Sequence, residues 1–264
     1  MFGPYGSVYN ETKLIKQAKK TLLPPLRDIV EWASSAFGAK VLNAHCEVVK
    51  RKSPGPDFPK LDIIYEYESD TPKFTGGTSG DFNKNRYERT ADEFRSILKS
   101  QRVRVGNLFS VKSFLGFAKP VDLENLAVIF SAFEKSAKCE ANGRIPNKAL
   151  DELKAGLDCT ELWTISRFLG TVTFFFYTEA QAKEAKANGR LEKMRDSYFD
   201  LLTQYDEFKY FQRETFFVSS DSKEHLDKNY QGNFFTTISE VLKGNELSTT
   251  GTCSGQIREN RRLH

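Results

Sequence analysis

The chain is expected to be α+β, with two modest layers of mostly antiparallel or mixed sheet carrying packed helices and a disordered C-terminal tail. Three patterns predict this. Alternating apolar and polar residues fill strand-length runs at 40–50 and 61–68, and stretches with apolar residues every three or four positions lie around them. In the second half, a cue of apolar run, helix-capping box and closing glycine recurs.

The elements follow in order. Leu14, Ile15, Ala18 and Leu22, then Leu26, Ile29, Val30, Ala33 and Phe37, predict helix from Asn10 to Phe37. Pro24-Pro25 must split it, because proline removes backbone donors and restrains the residue before it, and Gly38 closes the second piece. From Lys40 to Lys50, Leu42, Ala44, Cys46 and Val48 alternate with Val41, Asn43, His45, Glu47 and Val49. Leu61, Ile63, Tyr65 and Tyr67 alternate with Asp62, Ile64, Glu66 and Glu68, so the two runs favour an antiparallel hairpin across the turn-rich Ser53–Pro56. Gly76–Gly80 reads as a mobile loop, Thr90-x-x-Glu93 as the start of a helix, and Arg102–Val105 as a short strand. The apolar stretch 106–120 leads to a domain boundary near Pro120, giving an N-terminal domain 1–119, a C-terminal domain 120–244 and a tail 245–264.

The recurring cue has three copies. The first is Leu126–Phe130, box Ser131-x-x-Glu134 and stop at Gly143; the second is Val172–Tyr177, box Thr178-x-x-Gln181 and stop at Gly189. The third, fainter, is Thr215–Val218, box Asp221-x-x-Glu224 and stop at Gly232. In each, a side-chain oxygen accepts from an orphan first-turn N–H, and glycine supplies the left-handed closing residue. Further expectations are a helix at Asn147–Gly156, a strand at Leu162–Ile165, and a helix striped by Leu191, Met194, Tyr198, Leu201, Tyr205 and Phe208. A last strand is expected at Asn233–Ile238.

Composition narrows the function classes. No run approaches the roughly 18–20 apolar residues of a membrane-spanning helix, and the N-terminus lacks a secretory pattern, which predicts a soluble cytoplasmic protein without a membrane partner. Four cysteines without C-x-x-C spacing predict free thiols, and three histidines leave too few ligands for structural zinc. The net charge of +4 divides into +7 over residues 1–120 and −3 over 121–264. That asymmetry permits an acidic partner but falls short of a dedicated nucleic-acid binder.

No nucleotide-binding, serine-hydrolase, zinc-protease or calcium-loop motif occurs. The best candidate for chemistry is the outward face of the hairpin, where His45, Glu47, Asp62 and Glu66 would converge if the two strand faces coincide. Carboxylates and imidazole suit Mg or Mn, and such an ion could activate water against a phosphodiester. The candidate binding set is Arg86, Arg89, Arg102, Arg104 and Tyr87, which would meet phosphates and stack on a base. The leading expectation is a non-catalytic protein-interaction module (adaptor, inhibitor or immunity-like) with no cofactor and no bound metal. Its partner would be another protein, with an acidic surface as one option and nucleic acid as a weaker one. The alternative is a metal-dependent hydrolase of nucleic acid or phosphate esters.

Overall fold

The structure, a computed structural model, describes residues 3–4, 6–49, 58–76, 84–102, 123–168 and 170–230. The turn at 53–56, most of the 76–80 glycine loop, positions 103–105 of the strand expected at 102–105, the stretch 106–120, the strand expected at 233–238 and the tail 245–264 lie outside the described residues. The fold is α+β, with two three-stranded sheets among the described residues, and the chain divides into two compact units between Phe133 and Glu134.

In the first unit, α1 (Ser7–Lys16) and α2 (Pro24–Phe37) precede β1 (Val41–Val49) and β2 (Phe58–Tyr65). Pro24 and Pro25 sit in the first turn of α2, where their missing N–H groups cost nothing, and Gly38 closes that helix at φ +60°. A short α3 (Thr71–Thr75) and the long α4 (Lys84–Ser100) lead to β3 (Ala127–Ala132). β1 and β2 form the expected antiparallel hairpin; β3 joins β2 in parallel, in the order β1-β2-β3. A bulge between Val41 and Asn43 resets the alternation, so Val41, Ala44 and Cys46 face the core and Asn43, His45 and Glu47 the other side. The core packs Leu61, Ile63, Tyr65 and Val128 against Ile29, Ala33, Phe74 and Phe94.

The second unit opens with α5 (Phe133–Arg144, from its second residue) and α6 (Asn147–Gly156), then β4 (Leu162–Phe168) and β5 (Thr171–Phe176). Next come α7 (Glu179–Ala187), α8 (Arg190–Leu202), β6 (Ser219–Ser222) and α9 (Lys223–Tyr230). β4 and β5 are antiparallel, and β6 joins β5 in parallel. Phe174 and Phe176 are fully buried with Leu162, Met194, Tyr198 and Leu202.

Of the three local cues, only the second forms as expected. Thr178 Oγ1 accepts from Gln181 N at 3.3 Å, Gln181 Oε1 accepts from Thr178 N at 2.9 Å, and Gly189 takes φ +75° between α7 and α8. In the first, the strand continues through Ala132, so Ser131 is a ladder residue, Glu134 pairs with Lys138 along the helix, and Gly143 is helical rather than left-handed. Pro146 then starts the next helix, so the turn needs no glycine. In the third, the strand lies at Ser219–Ser222, not Thr215–Val218, and Ser222 Oγ accepts from His225 N at 3.0 Å in place of the Asp221 box. Thr90 does not start a helix either; it is buried within α4, and its hydroxyl donates to Arg86 O at 2.8 Å. Helix α8 stops at Leu202, before Tyr205 and Phe208.

The true repeat is larger than those cues. Among the described residues, which leave out 103–122 between α4 and β3, each half runs helix, strand, strand, two α-helices, strand, helix: α2-β1-β2-α3-α4-β3-α5, with a short 3-10 turn at Glu68–Asp70 ahead of α3, then α6-β4-β5-α7-α8-β6-α9. The match extends to register. A bulge falls between Val41 and Asn43 opposite Tyr65 and Ile64, and again between Leu162 and Thr164 opposite Phe176 and Phe175. Tyr65 pairs with Ala132, and Phe176 with Ser222; the next residue of each third strand opens a helix. By this register His45 corresponds to Ser166, Lys60 to Thr171, Asp62 to Thr173, and Ile129 to Ser219.

Candidate functional site

The two hairpin faces do coincide. His45 lies opposite Asp62 and Glu47 opposite Lys60, which puts all four side chains on the sheet face away from the main core. Helix α1 docks on that face: Thr12 accepts from Asn43 Nδ2 at 2.9 Å, Glu11 Oε2 meets His45 Nδ1 at 2.9 Å, and Lys16 pairs with Glu66. Tyr9 stacks on Phe133, with ring centroids 5.1 Å apart, and both are fully buried. A short, mostly polar helix is thus held by one aromatic anchor and a line of charged contacts.

Lysine, not a vacancy, lies among the carboxylates. Lys60 Nζ is 2.6 Å from Glu47 Oε1 and 2.9 Å from Asp62 Oδ2, and both Lys60 and Asp62 are buried. Burial works against the Lys60 ammonium, yet Glu47 and Asp62 together hold its pKa above the usual lysine value. Lys60 in turn keeps the Glu47 carboxyl below its ordinary range. Glu66 sits beyond the strand end with Lys16 and Lys40; burial would raise its pKa, but the two ammonium groups outweigh it. Among the described residues, no group of three or more His, Cys, Asp or Glu is placed to hold a metal ion. Cys46, on the opposite side of β1, is buried, and burial pushes its thiol pKa up.

The Glu11–His45 contact carries a pH dependence. Hydrogen bonding to His45, opposed by burial and aided by Lys20, lowers the Glu11 pKa from 4.5 to about 2. A depressed folded-state pKa stabilises the fold above the unfolded value, and that stabilisation is lost as pH falls through the folded one. Full conversion of the shift would give ~3 kcal/mol, and solvent screening of this partly exposed group reduces it to ~1–2 kcal/mol. Glu11→Gln should therefore destabilise by ~1 kcal/mol at pH 7, with the gap to wild type closing between pH 4.5 and about 2 in denaturant titrations.

The expected basic face is largely engaged inside its own unit. Arg86 donates to Pro72 O at 2.8 Å and to Lys73 O, fixing α4 to α3. Arg89 lies 5.4 Å from the Trp32 ring centre, and Tyr87 packs edge-on against Phe130 with its hydroxyl pKa raised by burial. Arg102 follows the end of α4 with φ +53°, in a turn rather than a strand, and Arg104 lies outside the described residues.

What sequence reasoning missed is the border of the first sheet. Among the described residues β3 pairs only with β2, and no described strand lies along its other edge. Between β3 and α4 runs a groove of about 560 Å³, with Tyr87, Leu126 and Val128 in its lining and Lys84, Asp92 and Arg95 along it. Ile129, on the face opposite Val128, is 42% exposed. The signal was present in the sequence: 127–132, Ala-Val-Ile-Phe-Ser-Ala, contains no charge, proline or glycine. Comparison finds no matching family model, no matching curated protein and no matching solved structure. No helix among the described residues is long and apolar enough to cross a membrane.

Proposed function

We propose that this chain is a non-catalytic protein-interaction module whose contact is the open edge of β3 with the groove beside it. The supporting observation is a six-residue uncharged strand, bonded among the described residues on one side, with Ile129 exposed at its centre. Monomeric proteins blunt such edges with charge, proline or brevity, because an unpaired ladder is a template for another chain. An added strand would gain main-chain hydrogen bonds from β3, and α4 and β3 would give its alternate side chains a groove to read. The hairpin polar face supports the same reading, since its carboxylates are answered by Lys16, Lys40 and Lys60.

Selection of random peptides on the immobilised chain tests this. The enriched sequences should be extended and apolar at alternate positions, and should lose binding when methylated at alternate backbone nitrogens. Enriched peptides indifferent to backbone methylation, or no enrichment at all, would contradict strand addition.

A further inference from the structure

One register position is treated in opposite ways by the two halves: Phe130 pairs with Ile63, and its counterpart Ser220 with Phe174. In the first half the Phe130 ring occupies the space beside its strand, with its centroid 5.3 Å from that of Phe74 in α3 and 4.9 Å from that of Tyr87 in α4. In the second half a hydroxymethyl group stands there, and a groove of about 310 Å³ lies between α7 and β6. The scaffold can close this position with an aromatic ring, and here it leaves it open and polar. We propose that the groove binds a small soluble phosphate monoester, whose phosphoryl oxygens are met by His225, Ser220, Lys183 and Lys186. The site lies wholly within the second unit and does not depend on the β3 surface.

The polar groups of the groove are arranged as such a ligand requires. Asp221 accepts from Ser222 N at 2.7 Å and lies 3.0 Å from His225 Nδ1, so a carboxylate fixed by the backbone orients the ring. Only 11% of the Asp221 side chain is exposed, which commits it to that task. With Nδ1 engaged, Nε2 is the nitrogen left for a ligand. It donates to an anionic oxygen when the ring is charged, and accepts from a singly protonated phosphate when the ring is neutral. Among the described residues, His225 Nε2, the Ser220 hydroxyl and the Lys186 ammonium have no partner. Lys183 and Lys186 share with Ala182 the α7 face that lines the groove. The contact of Lys183 with Glu179 is 3.8 Å long, with 80% and 41% of the two side chains exposed, a pair too weak to keep the ammonium from a phosphate. Two ammonium groups, a hydroxyl and a ring nitrogen suit the terminal oxygens of a monoester. The volume sits at the lower end of the ~300–1,000 Å³ usual for ligand pockets, which favours a small ester over a nucleotide.

Isothermal titration calorimetry of the full chain with glycerol 3-phosphate, and with glycerol as the control, tests the site. Saturable binding of one ester per chain is expected, and none of glycerol. Lys186→Glu and His225→Gln should each weaken the ester about tenfold or more, the first with melting unchanged because Lys186 is exposed. Lys193→Glu, exposed on α8 and outside the groove, should leave Kd at the wild-type value. Ser220→Phe, which installs the residue of the first half, should abolish binding; if it does not fold, the other two variants still decide. Sedimentation with phosphatidic acid vesicles separates a lipid headgroup from a soluble ester. No binding of glycerol 3-phosphate, equal binding of glycerol, or an affinity indifferent to Lys186→Glu and His225→Gln would overturn the proposal, as would capture by the vesicles without binding of the soluble ester.

Discussion

Replacing Lys60 with methionine should cost ~3 kcal/mol of stability at neutral pH. Truncating one partner of a buried ion pair typically costs 3–5 kcal/mol, because the remaining charge is left without compensation. The low end applies here because Glu47, one of the two carboxylates on Lys60, is 44% exposed and can turn to water, whereas Asp62 is buried and cannot. Asp62→Val added to Lys60→Met should recover most of the loss, to within ~1 kcal/mol of wild type, since removing both charges removes the uncompensated one. In the second half the same scaffold carries Thr171 and Thr173 at these positions, which shows that the fold does not require a charge there. Urea titrations of the three proteins at pH 7 give the comparison. A double variant as unstable as the single one would mean that the cluster shapes the sheet in some way other than charge balance.

Phe174→Ala should be more damaging still, at ~3–5 kcal/mol, the usual range for truncating a fully enclosed phenylalanine. Phe174 is the central residue of the central strand, fully buried, with the Tyr198 ring edge-on at 6.3 Å. The cavity would open beside Tyr198, whose hydroxyl donates to Asn142 Oδ1 at 2.8 Å, so one substitution loosens both an apolar and a polar contact. Calorimetry should show the loss as a lowered Tm. Phe217→Ala, at an exposed site, should leave Tm within about a degree.

How much was legible in the sequence depended on the range of the interaction. The hairpin was readable because alternation is local and its partner lies a few residues beyond a turn: β1 and β2 pair with His45 opposite Asp62, as the shared polar face required. The cap at Thr178 and the reversal at Gly189 were readable for the same reason. The pairing of β2 with β3 was not, because Ile129 lies 67 positions beyond Asp62 and no local pattern encodes a parallel partner. Ser131-x-x-Glu134 has the spacing of a capping box, but the ladder to β2 holds Ser131 in extended conformation and delays the helix to Phe133. Tertiary hydrogen bonds there outweighed a local preference worth ~1 kcal/mol.

The candidate site was legible in composition but not in consequence. Alternation predicted that His45, Glu47 and Asp62 share a face; it did not predict Lys60 between two of the carboxylates or α1 lying across them. Lys60 stands two residues before Asp62 and therefore on the same face, so the period-two rule that grouped the acids could have included the base. The contacts of the α4 arginines were not legible in the sequence: their spacing gives no hint that Pro72 and Lys73 would offer carbonyls to Arg86, or Leu123 and Glu124 to Arg95. Local cues found the building pieces, and the duplicated register that organises them became visible only in the strand ladders.

The account rests most heavily on β3 ending its sheet. Residue-resolved amide exchange by NMR, on the full chain at a concentration where it is monomeric, tests that directly. Within 127–132, amides bonded to β2 should be protected and the alternate ones should exchange orders of magnitude faster. Uniform slow exchange across all six amides of the monomer would mean that another part of the chain already covers the edge, and would contradict the interaction surface.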